Sequence, residues 1–173
     1  VIPFAMADSF NGYNVVGTTP DFLKNKTVDK GEMFDAAQTL QVVVGSNVAK
    51  YCDLSIGEVI YTSHSASEQD THTQGLTVVG ILEESHSSFD NVVFTQIKTL
   101  WDMHDHGEEH DEESEEHHHH GTVCSVLVNT KNPGFAMQLV AEYDGKILTA
   151  EDGDSYTLQA IEPMSVVRDV LRD

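Results

Sequence analysis

One stretch of this chain is barred from any folded core. From Trp101 to His120 the sequence reads WDMHDHGEEHDEESEEHHHH, and no apolar residue follows Met103 until Val123. Without apolar side chains to bury, a segment cannot offset the entropy lost on ordering. Residues 105–120 are therefore expected to be weakly ordered without a bound ion, and the fold must be built from what lies on either side.

The same stretch is rich in metal ligands. It holds seven of the ten histidines: His104, His106, His110, His117, His118, His119 and His120. Nine acids accompany them, from Asp102 to Glu116. Imidazole suits zinc, copper, nickel and iron, and carboxylates add hard oxygen donors. Zinc takes about four ligands in a tetrahedron. So many combinations are on offer that several weak, exchanging sites are expected, with more than one zinc per chain. A solvated spacer and an expression tag are the competing readings. The histidine run at 117–120 is short, internal and continuous with the acidic sequence, which argues against a tag.

The other histidines are His64, His72 and His86. His64 and His72 flank a polar excursion, residues 63–73, between two strand-like runs. With Glu68 and Asp70 nearby, they read as half of a site. His86, in Glu83-Glu84-Ser85-His86, is a further candidate ligand.

Charge narrows the function classes. With 29 acids against 9 basic residues, the formal net charge is -20. Such a chain repels phosphate backbones and anionic headgroups, so nucleic acid is excluded as a partner, and it attracts cations. The apolar run at 76–82 is far short of the roughly 20 residues that a spanning helix needs. No signal peptide is visible. The start at Val1, inside an apolar run, suggests a removed Met or a piece of a longer protein. Cys52 and Cys124 form no CxxC motif and are expected as buried free thiols, with one disulfide as the alternative.

The length, 173 residues, suits one domain or a domain with an inserted subdomain. Strands are expected at 1–6, 13–16, 40–44, 58–62, 76–82, 91–95, 122–128, 146–149 and 156–161. Thr19-Pro20-Asp21 reads as a helix start. Ser46 is expected to cap a short helix to Cys52, with Val48 and Tyr51 facing inward. Ile97, Leu100 and Trp101 share one face of a helix that leads into the histidine-rich stretch. Asn132-Pro133 opens another, with Ala136, Leu139, Val140 and Tyr143 on one face, Phe135 in the core and Gly145 closing it. Pro163 starts a last amphipathic helix carrying Met164, Val167 and Leu171. Asp152-Gly153-Asp154 is a turn rather than a calcium loop. No GxSxG, HExxH or phosphate loop is present, so an enzyme such as a zinc hydrolase is the weakest class.

Four segments carry a family resemblance: NVVGTTPDFL (14–23), LQVVVGSNVAKYCDLSIGE (40–58), LSIGEVIYTSHS (54–65) and THTQGLTVVGILEESHSSFDNVVFTQIKTLW (71–101). Together they resemble the extracytoplasmic domain of FtsX-like, MacB-type ABC transporter permeases, over roughly residues 10–172. A branch linked to zinc handling is more similar still. It carries "HG … H" before the VVGIL strand, matched by His64 and His72 with Ser65 in place of the Gly, and a His-rich loop after the following helix. The family's small turn after GIL is Ser85-His86-Ser87 here.

The resemblance implies an α+β fold: an α/β porter-like layer formed by both chain ends (1–30 and 122–173), an inserted β-rich lobe (31–101) and a flexible loop (102–121). It implies no catalytic residues, a separate cytoplasmic ABC ATPase subunit, and a dimeric permease in the inner membrane with this domain in the periplasm. An extracytoplasmic binding protein or lipoprotein is a further implied partner. The reading that results is a permease domain that binds divalent metal, with the 102–120 segment collecting ions and handing them to His64 and His72. The alternatives are a permease for peptide, lipid or drug export with an incidental loop, and a free secreted metal buffer.

Overall fold

The computed structural model describes residues 1–64, 72–105, 121–150 and 153–163. They fall into two units, Val1–Leu127 and Val128–Asp173. The first carries eight strands: β1 (Ile2–Phe10), β2 (Tyr13–Thr18), β3 (Val28–Gly31), β4 (Gln41–Val44), β5 (Val59–Ile60), β6 (Leu76–Leu82), β7 (Val92–Gln96) and β8 (Ser125–Leu127). They form one mixed sheet in the order β3, β6, β4, β7, β2, β1, β8, with β5 also paired to β6. β2 runs parallel to β7, and β4 to β6. The other pairings are antiparallel. The α+β class expected from the sequence is the class observed.

Both faces of this sheet are covered, which explains its unbroken apolar runs. Val42 and Val44 of β4 enter one core and Val43 the other. Val15 and Val16 of β2 divide in the same way, as do Val93 and Phe94 of β7. Helices α2 (Ser46–Tyr51) and α3 (Ile97–Asp105) close the first face with Val48, Ala49, Ile97, Leu100 and Met103. Helix α1 (Pro20–Leu23) and the 3₁₀ turn Ser88–Asn91 close the second, where Phe22 and Phe89 stack with centroids 5.4 Å apart. Gly17 in β2 lets α3 approach: a Cβ there would lie 2.7 Å from Leu100 Cδ1 and 3.1 Å from Ile97 Cα.

The second unit holds α4 (Pro133–Tyr143) and the antiparallel hairpin β9 (Ile147–Thr149) and β10 (Ser155–Thr157). Asn132 caps α4 by accepting the Phe135 N–H at 3.1 Å. Gly145, at φ 73°, follows the helix and donates its N–H to Leu158 O at 2.9 Å. Among the described residues, no helix is long and apolar enough to cross a membrane.

Several local expectations need correction. Gly45, not Ser46, stands at the N-cap of α2, and Tyr51 points outward at 69% exposure while Ala49 packs inward. Phe135 and Met137 are exposed rather than core. Both cysteines are free thiols, but Cys52 is half-buried and Cys124 exposed. Strand β3 escaped the sequence reading because its Val-Asp-Lys-Gly is three parts exposed. The helix expected after Pro163, the Asp152 side of the hairpin turn and the order of residues 106–120 lie outside the described residues.

Candidate metal centre

Four side chains from three distant parts of the chain converge at one edge of the α3-covered face. They are Asp8 of β1, His64 and His72 from the two ends of the polar excursion, and His104 of α3. One ligand atom from each lies within 4.8 Å of all the others. The three imidazoles meet edge to face, with ring centroids 4.5 to 5.1 Å apart.

A break in strand alternation aims Asp8. Ala5 pairs with Gly17 and Met6 with Val16, but Asp8 pairs with Val15 because the register slips by one residue between Met6 and Asp8. Directly paired residues share a face. Simple alternation would put Asp8 on the Met6 side, whereas the bulge turns it to the Val15 side, under α3. Its side chain is completely buried there. His104 arrives by helical periodicity. It stands seven residues after Ile97 and four after Leu100, both buried, so it extends the core-facing stripe of α3 by one turn.

The excursion is tied to β1 by its backbone. Ser9 and Ser63 exchange N–H···O bonds of 2.8 and 3.0 Å. The N–H of His72 donates to Thr62 O at 2.8 Å, bringing the far end of the excursion back beside its start. The Thr62 hydroxyl, fully buried, donates to Asp8 Oδ2 at 2.9 Å.

The geometry around Asp8 Oδ1 is specific. His104 Nε2 lies 3.2 Å away, His72 Nε2 3.3 Å and His64 Nδ1 3.4 Å. Charge-assisted N–H···O bonds run shorter, at about 2.7–2.9 Å. Donor atoms held by one tetrahedral zinc, each about 2.0–2.1 Å from the ion, stand about 3.3–3.4 Å apart. All three distances from Oδ1 match a tetrahedron edge better than a hydrogen bond. The carboxylate forms the floor. The histidine side chains close the rim and are 12, 31 and 48% exposed for His72, His104 and His64, so an ion has access from solvent.

Electrostatics favour the same chemistry. Burial, joined by the neighbouring imidazoles of His64 and His72, pushes the His104 pKa below its ordinary value of 6.5, against the opposing pull of the Asp8 carboxylate. A lowered pKa keeps His104 neutral near pH 7, the form that ligates metal. A buried carboxylate with a single strong hydrogen bond is costly, and a cation offsets that cost.

The sequence-derived candidates divide three ways. His64, His72 and His104 come together. His86 does not: its side chain is 84% exposed, and its contact is Glu84 at 3.7 Å. His106, His110, His117, His118, His119 and His120 lie outside the described residues, as do Glu68 and Asp70. Asp8 was missed. Its signal is a lone acid between the apolar Phe4-Ala5-Met6 run and Phe10 of a strand. Trp101 fixes the return of the histidine-rich stretch. Its indole N–H donates to Thr122 O at 3.0 Å, and its ring packs so closely on Gly121 that a Cβ there would lie 2.0 Å from Trp101 Cδ2.

A family model described as the MacB-like periplasmic core domain matches residues 2–143. No curated protein matches the chain at a significant level.

Proposed function

The chain belongs to the family of MacB-like periplasmic core domains, a permease domain and not itself an ATPase, and from that premise we propose that it binds a divalent transition metal, zinc foremost, at Asp8, His64, His72 and His104. The observation that carries this reading is the set of three imidazole nitrogens 3.2 to 3.4 Å from one carboxylate oxygen. Three nitrogens and one oxygen, with no thiolate, suit zinc over the softer copper(I) and over the oxygen-seeking calcium and magnesium.

The permease works with an ABC ATPase, and metal bound here biases how the domain meets extracytoplasmic cargo or partners. In this reading the histidine-rich segment after α3 is a collecting arm, supported by its composition and by the anchoring of its far end at Trp101. His106, His110, His117, His118, His119 and His120 supply weak, exchanging ligands near a single tighter site. His86 lies apart and is expected to be dispensable.

Calorimetric titration with zinc tests the division. One tight event is expected, followed by weaker ones. Asp8→Asn should remove the tight event by weakening it more than the roughly ten- to hundredfold that loss of an outer partner of a metal ligand costs. Deleting residues 106–120 should remove the weak events only. Retention of the tight event in both Asp8→Asn and His104→Gln would sink the proposal.

A further inference from the structure

The two oxygens of Asp8 have different surroundings. Oδ1 faces all three histidine nitrogens at 3.2 to 3.4 Å. Oδ2 accepts the Thr62 hydroxyl at 2.9 Å. His72 Nε2 stands 3.3 Å from both. Thr62 has no room to turn away. It is fully buried, its carbonyl holds the His72 N–H at 2.8 Å, and the adjacent Ser63 is bonded to Ser9 of β1.

The geometry points to Thr62 as the residue that sets metal selectivity: by holding Oδ2, its hydroxyl confines Asp8 to one coordinating oxygen and the ion to four donors. The inference rests on the metal-centre reading above and adds to it a reason for discrimination. Zinc is satisfied by four ligands in a tetrahedron. Manganese, magnesium and calcium favour six or more, predominantly oxygen. A carboxylate free to bind through both oxygens offers a fifth donor and moves the site toward those ions. A hydrogen bond to the second oxygen opposes this, because it takes up one of that oxygen's two lone pairs and holds the carboxylate in one orientation. The same hydroxyl orients the carboxylate so that Oδ1 points at the imidazoles, as outer partners of metal ligands generally do. Thr62 is thus a positioning residue and does not itself touch the ion.

The test uses the 173-residue chain with cobalt(II) as a spectroscopic probe and with zinc–manganese competition. The wild-type chain is expected to give the intense visible absorption of four-coordinate cobalt. Thr62→Val keeps the shape of the side chain and removes the hydroxyl. It should give the weak absorption of a higher coordination number and reduce the preference for zinc over manganese by about tenfold to a hundredfold. Thr62→Ser, which restores the hydroxyl, should return both properties. If Thr62→Val folds poorly, Thr62→Ala removes the same hydroxyl and must show the same loss.

A purely structural Thr62 predicts lower stability but an unchanged cobalt spectrum and an unchanged zinc-to-manganese ratio, and that result overturns the inference. So does a Ser variant that behaves like the Val variant. A wild-type chain that binds zinc but gives only weak cobalt absorption also overturns it, and leaves the metal centre standing. A wild-type chain that binds neither ion overturns the metal centre itself.

Discussion

At the scale of single residues, the site sets one buried carboxyl group against three imidazoles. His104 shows the consequence for pH. Its pKa in the folded chain lies below 6.5, with burial the leading cause. As pH falls, the unfolded chain takes up the proton first. Stability therefore rises with pH in this window. The contribution is complete above about 6.5, the unfolded value, and is lost as pH drops from there through the lower folded value. Urea midpoints of the chelator-treated chain are expected to fall between about pH 7.5 and about pH 5.5, and His104→Gln should flatten that fall. An unchanged slope in the variant would show that His104 is not the group responsible. Asp90 shifts in the same direction for a different reason. Burial pushes its carboxyl up, but hydrogen bonds from the Ser85 backbone and hydroxyl and from the Ser87 N–H outweigh this and hold it below 3.8. Its contribution is present above 3.8 and is lost only as pH falls through the lower folded value.

At the scale of elements, the site depends on how closely α3 lies on the sheet. Gly17 permits that closeness, since any Cβ would press on Leu100 and on the backbone of Ile97. Gly17→Val should push α3 outward and cost about 1–3 kcal/mol, the usual range for overpacking. Because His104 rides on the same helix, the variant should also weaken zinc binding, while cobalt absorption reports the distorted geometry. Zinc affinity unchanged in a destabilised Gly17→Val chain would mean that the end of α3 adjusts independently of its base. The bulge in β1 is the other elemental device. It brings Ala5 and Asp8 to one face although they are three residues apart, and so turns a carboxylate under α3 where alternation predicts the opposite face.

For the whole molecule, the ligands join sequence positions 8, 64, 72 and 104. An ion shared among them would cross-link β1, the excursion and α3, and would bind the folded state alone. At a hundred times its dissociation constant it should stabilise the chain by about 2.7 kcal/mol. Every ligand belongs to Val1–Leu127. Hydrogen exchange should therefore slow on zinc addition in β1, β2 and α3 and stay unchanged in α4 and the β9–β10 hairpin. Protection spread equally over both units would point to a global effect of zinc, such as association of chains.

Much of the element content was legible because it rests on local rules. The run Leu76-Thr77-Val78-Val79-Gly80-Ile81-Leu82 is a strand by composition and by its bounds, and the structure agrees to the residue. Thr19-Pro20 and Asn132-Pro133 start helices because proline suits the first turn. The histidine excess, with its implied metal chemistry, needed only counting. Sequence could not say which histidines meet. His86 and His64 look alike in their local runs, yet one is turned to solvent beside Glu84 and the other faces Asp8. That difference comes from strand order and from the Ser9–Ser63 bridge, which are long-range pairings with no local signature. Asp8 was hidden for the same reason, since the facing of a strand residue past a bulge depends on the partner strand's register. The sequence by itself determined that this chain is strongly acidic and which segment is richest in histidine and carboxylate. Only the tertiary structure decided that, among the described residues, His64, His72 and His104 meet one unremarked carboxylate, because convergence is a property of packing and not of spacing.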